Sequence, residues 1–98
     1  MTYQIKLSEQ AVLDLADIQE WIAYEAGKVI SENYINRITE KFMSLQTFPL
    51  RGTLRPHLGL GIRTLSFERR VSIAYRIIKN EVWIERVQSG RRQYQLIS

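Results

Sequence analysis

Gly61 to Tyr94, GIRTLSFERRVSIAYRIIKNEVWIERVQSGRRQY, is the stretch that decides the fold. Val71, Ile73, Tyr75 and Ile77 alternate with Ser72, Ala74 and Arg76, the period of two that marks a strand with one buried face. That run is expected to be the centre of a sheet. Asn tolerates left-handed backbone, so Lys79-Asn80 predicts a two-residue turn into a second β-rich run, Val82 to Val87. With that turn, Ile77 faces Val82, Tyr75 faces Ile84 and Ile73 faces Arg86. A three-residue loop at Glu68 to Arg70 sets Phe67, Leu65 and Arg63 opposite Val71, Ile73 and Tyr75. Arg63 and Arg86 then share the apolar side, about 10 Å apart at about 4.8 Å per strand. Two readings follow. The pair seats a phosphate or carboxylate, or each arginine pairs with a local acid such as Glu68 or Glu85, or snorkels to the sheet edge.

Outward from the sheet, Thr2 to Leu7 alternates loosely and predicts an edge strand. Ser8 is the expected N-cap of a helix, with Glu9 in its first turn. Ala11, Leu15, Ile18 and Ile22 form the apolar stripe, widened by Val12 and Trp21, with Asp14, Asp17 and Glu20 on the wet side. Gly27 ends that helix. A second begins between Lys28 and Ser31 and runs to about Thr47 on Tyr34, Ile38, Phe42 and Leu45, and Pro49 closes it. Neither helix buries itself alone, so the two are expected to form an antiparallel hairpin over one sheet face. The fold class is therefore α+β: an N-terminal strand, a helix hairpin, then a three-stranded antiparallel sheet. Residues 48–61 are read as a connecting loop carrying Arg51, Arg55 and His57.

Ninety-eight residues make one domain. Cysteine is absent and His57 is the sole histidine, so neither a disulfide framework nor a metal centre is expected, and no cofactor. The apolar runs are too short for a membrane span, and MTYQIKL lacks the layout of a signal peptide, which fits a cytoplasmic protein. The net charge of +4 is unevenly spread. Residues 1–50 hold four basic residues against seven acids, and residues 51–98 hold ten, nine of them arginine, against three. The second half is built to meet an anionic partner, either nucleic acid or an acidic protein segment.

Individual side chains admit two readings each. His57 is a general base or an ordinary loop residue. Trp83, across from Arg76 on the outer face, is a cation–π or stacking platform or plain strand packing. Tyr94 beside Arg91 and Arg92 is a phosphate site with a proton donor, or part of a basic tail.

The order of elements, with LQTFPLRGTLRPHL, GIRTL, IAYRI and VWIERVQSGRR in sequence, resembles the RelE/ParE superfamily of toxins from bacterial type II toxin–antitoxin operons. The tail is most similar to the ParE branch, whose pattern resembles His-Gly-Arg-Arg-Asp; here Ser89 and Gln93 stand in place of the His and Asp. The resemblance implies a cytoplasmic toxin neutralised by a cognate antitoxin folded across the hairpin and sheet, with Trp21, Tyr34 and Trp83 as its contacts. It implies DNA gyrase as the target, met through Arg63, Arg86, Arg91, Arg92 and Tyr94. The RelE branch implies the alternative, a ribosome-dependent mRNA endoribonuclease using Arg63, Arg86, Tyr94 and His57. That chemistry needs a proton acceptor for the 2′-hydroxyl, which arginine is poorly suited to be. A homodimer or a heterotetramer with the antitoxin fits either branch.

Overall fold

In the computed structural model, which describes residues 2–90, the order is β1 (Gln4–Leu7), α1 (Glu9–Ala26), α2 (Lys28–Met43), β2 (Thr53–Leu54), β3 (Arg63–Phe67), β4 (Val71–Ile78) and β5 (Glu81–Ser89). All five strands form one sheet in the order β1-β5-β4-β3-β2, so β4 is its centre, as its alternation predicts. The sheet is larger than the three strands expected. β1 joins it parallel to β5, with Gln4 opposite Glu81 and Leu7 opposite Ile84. β2 forms inside the 48–61 connection, where Thr53 pairs with Thr64 and the backbone N–H of Arg55 donates to the Ile62 carbonyl at 2.8 Å. The free edge of β3 supplied unpaired backbone groups, and the nearest chain satisfied them.

The register of β3 on β4 is the expected one, Arg63 to Tyr75 and Phe67 to Val71. Between β4 and β5 it holds at Ile77–Val82 and Tyr75–Ile84, then slips at Ala74/Tyr75. The cause is a β-bulge, which places one extra residue in β5. Ile73 therefore faces Val87, and Arg86 faces Ala74. At the Lys79-Asn80 turn the left-handed residue is Lys79, with φ 56°, and not Asn80.

Ser8 caps α1 as predicted, accepting from the Ala11 N–H at 3.0 Å, and its hydroxyl proton goes to the Glu85 carbonyl at 2.8 Å. One side chain thus starts the helix and pins it to the bulge. α1 ends at Gly27, whose φ of 97° suits glycine and turns the chain directly into α2. The hairpin is held near its Gly27 junction by Ser31, fully buried in the first turn of α2 and donating to the Gln19 carbonyl at 2.5 Å. α2 stops at Met43, short of Thr47, because Ser44–Gln46 tightens into a 3₁₀ turn. Ile18, Ile22, Ile38, Phe42 and Leu45 press on Leu65, Ile73, Tyr75, Val82, Ile84 and Val87 to make the core. Val12 does not widen this stripe and stays 54% exposed.

Candidate functional site

Asp14 is the first residue to depart from its expected place. It is buried, not solvated, and points into the β5 bulge. Its carboxylate accepts from Arg86 Nε at 2.9 Å, Arg86 Nη2 at 3.2 Å, the Val87 N–H at 2.8 Å and Gln10 Nε2 at 3.1 Å. Burial pushes the Asp14 carboxyl up, yet the bonds from Arg86, Val87 and Gln10 outweigh it and hold it below the ordinary value. Arg86 thus has an acid, but not the neighbouring Glu85 or Glu68 considered from sequence. Glu68 pairs with Arg37 at 3.0 Å.

Arg63 is committed elsewhere. Its Nη1 donates to the Gly52 carbonyl at 3.0 Å and to the Leu50 carbonyl at 3.4 Å, tying the 48–61 connection to β3. Tyr75 secures the same segment from beneath. Its hydroxyl donates to the Pro49 carbonyl at 2.7 Å and accepts from the Gly52 N–H at 2.9 Å. A Cβ on Gly52 would stand 2.5 Å from that hydroxyl, which explains the glycine. The shared cationic seat expected of Arg63 and Arg86 is therefore replaced by two separate structural contacts. His57 lies exposed on the 3₁₀ turn Pro56–Leu58, after β2, and is gathered to neither arginine's contacts. Arg91, Arg92 and Tyr94 lie outside the described residues.

Two of the three residues assigned to the antitoxin do come together. Trp21 and Tyr34 line a groove of about 780 Å³ between the helix hairpin and the end of the sheet, with Ile18, Ile22, Val71 and Gly90. Its lining is mostly apolar, with Arg69, Arg70 and Glu25 as its charged residues. The Gly90 N–H donates to the Arg70 carbonyl and closes one end. Tyr34 is set edge-on against Phe67, ring centroids 5.5 Å apart, with the Arg37 guanidinium 5.2 Å over its ring. Burial first, then the Glu68 charge, raises the Tyr34 phenol above its usual value despite Arg70 and Arg37, so it stays neutral in the physiological range. An apolar trough with a net positive lining has the shape and charge to receive an amphipathic segment. Arg69 and Arg70 escaped the sequence reading; the signal was there, two adjacent arginines in a tight turn beside a single acid.

Trp83 is not part of this groove. It alternates with the buried Val82 and Ile84, faces away from the helices opposite Arg76, and donates its indole N–H to Glu81 at 2.9 Å. Among the described residues no cluster of three His, Cys, Asp or Glu is arranged to hold a metal. Nor is any helix among them long and apolar enough to cross a membrane.

A helix hairpin laid over a small mixed sheet, with an apolar trough at the sheet's end, defines a class of small α+β folds. The model of the ParE toxin of type II toxin-antitoxin systems, parDE, matches residues 5–94, and the chain belongs to that family. It is a toxin of a type II toxin–antitoxin system. Among solved structures it is similar to the chromosomal ParDE system from P. aeruginosa, at 27% identity and a TM-score of 0.79, over 90% of this chain and 96% of that one. The toxin–antitoxin complex RelBE2 from Mycobacterium tuberculosis shares the fold at 24% identity and a TM-score of 0.67, over 91% and 99% of the two chains. The E. coli DinJ–YafQ complex shares it at 15% and 0.63, over 93% and 96%. No curated protein sequence matches the chain.

Proposed function

We propose that this toxin acts in the cytoplasm on DNA gyrase, and that its cognate antitoxin neutralises it by laying an amphipathic, acidic segment into the groove of Trp21 and Tyr34. One observation carries the preference for gyrase over mRNA cleavage. Of the nuclease candidates among the described residues, Arg63 is held by backbone carbonyls and Arg86 by Asp14, while His57 stands apart on an exposed turn. Cleavage through a 2′-hydroxyl needs a proton acceptor and a proton donor around one phosphate, and the described residues assemble no such pair. A binding toxin needs neither. The similarity to a ParDE toxin supports the same reading.

Induction without antitoxin is expected to produce filamentous cells, and purified toxin is expected to cause gyrase-dependent DNA breaks. Intact DNA at an inhibitory dose, together with mRNA cuts inside translated codons, would replace gyrase with the ribosome. For the groove, Trp21→Ala is expected to weaken antitoxin binding tenfold or more, the loss typical of a central aromatic anchor. Unchanged affinity would move the antitoxin to another surface.

A further inference from the structure

We propose that a band of cations along β3 seats the sugar–phosphate backbone of a nucleic acid strand. The band starts at the β3–β4 turn with Arg69 and Arg70, passes Arg37 on α2, and reaches a shallow cleft of about 320 Å³ lined by Arg37, Lys41, Ser44 and Arg51. It ends at Arg63, at the start of β3. Six cations meet two carboxylates, Glu40 in the cleft and Glu68 on Arg37. Lys41 also offsets the negative end of the α2 dipole, but that task uses one charge.

The guanidiniums are already oriented by the fold. Glu68 holds Arg37, the Ser44 hydroxyl holds Arg51 at 2.9 Å, and the Gly52 carbonyl holds Arg63 at 3.0 Å. Each guanidinium has five donors, so each keeps N–H groups for a further acceptor, and a planar fork suits a phosphate better than a point charge does. The dimensions agree as well. Five residues of β3 extend about 13 Å, long enough to lie along a short run of backbone phosphates. Because the contacts are to backbone oxygens, the site has no base preference. The proposal does not depend on whether gyrase or the ribosome is the target, since both present nucleic acid.

The test is fluorescence anisotropy of the full-length toxin with a short labelled DNA duplex and, separately, a single-stranded RNA, between about 50 and 200 mM salt. Lys41→Glu with Arg51→Glu is expected to weaken binding at least tenfold and to flatten the log–log salt slope by about two contacts, at about 0.9 per phosphate on duplex and about 0.7 on single strand. Lys28→Glu with Lys79→Glu makes the same change in net charge away from the band and is expected to shift affinity less than twofold. Equal loss in both double variants would reduce the effect to net charge and overturn the proposal, as would no binding by the wild-type protein at the lowest salt. Lys41→Gln with Arg51→Gln, checked for an unchanged melting temperature, guards against misfolding of the charge-reversed protein; full binding by this variant would also overturn it. Tighter binding of DNA or of RNA then identifies the source of the backbone.

Discussion

Asp14 joins α1 to β5 through three hydrogen bonds. Its carboxylate fills the bulge in β5, satisfies the buried Val87 N–H and neutralises Arg86. Asp14→Ala strands a buried backbone donor and a half-buried cation, and is expected to cost about 2–4 kcal/mol in denaturant unfolding. The same carboxylate gives a pH dependence. Its folded pKa lies below the unfolded value of 3.8, so its contribution is complete above that value and is lost as the pH falls through the lower folded one. Acid unfolding monitored by circular dichroism should begin at higher pH in Asp14→Asn, which keeps an acceptor but no charge. Tyr75 acts at the other end of the scale. Burial raises its phenol above 10.0 although the Gly52 N–H opposes this, so its contribution is present below pH 10 and fades as the pH rises further. Tyr75→Phe removes both loop bonds and is expected to cost about 1–3 kcal/mol. Asp14 was partly legible in the sequence. It falls at i+3 from Ala11 and i−4 from Ile18, squarely on the apolar stripe, and its acidic character alone placed it in solvent. What no spacing could supply was the bulge that gives it a partner from the far end of the chain.

At the level of elements, local patterns were readable and long-range pairings were not. The period of β4, the Ser8 cap, the Gly27 stop and both hairpin turns each follow from a few adjacent residues. The parallel docking of β1 on β5 and the two-residue β2 depend on which free edge the fold presents. The site shows the same division. Trp21 and Tyr34 stand out as aromatic residues on helices, whereas their meeting with Arg69 and Arg70 depends on how the hairpin crosses the sheet. The helix junction offers a test of local geometry alone. Gly27 has φ 97° and ψ 164°, a region essentially reserved for glycine, and open space where a Cβ would go. Gly27→Ala is therefore expected to lose about 1–3 kcal/mol through backbone strain without any clash, measured as a lowered urea midpoint at unchanged m-value.

Across the whole molecule, the uneven charge seen in the sequence resolves into distinct uses. Arg86 is fastened to Asp14, while Arg69, Arg70, Arg37, Lys41 and Arg51 line one side that ends at Arg63, whose Nη1 alone is taken by backbone carbonyls. The groove and the cationic band meet at Arg69 and Arg70. A segment bound in the groove therefore covers one end of the band, and antitoxin is expected to compete with nucleic acid for the toxin. Arg69→Glu with Arg70→Glu should weaken both partners, measured by anisotropy with each alone, whereas Lys41→Glu with Arg51→Glu should spare the antitoxin.

Among the described residues the first strand, β1, lies beside the last, β5, with Ser8 bonded to a carbonyl 77 positions further on. A nascent chain emerges from its N-terminus, so β1 waits without a neighbour until β5 has been synthesised. Until then the sheet lacks the strand that joins β1 to β4, and the fold is incomplete.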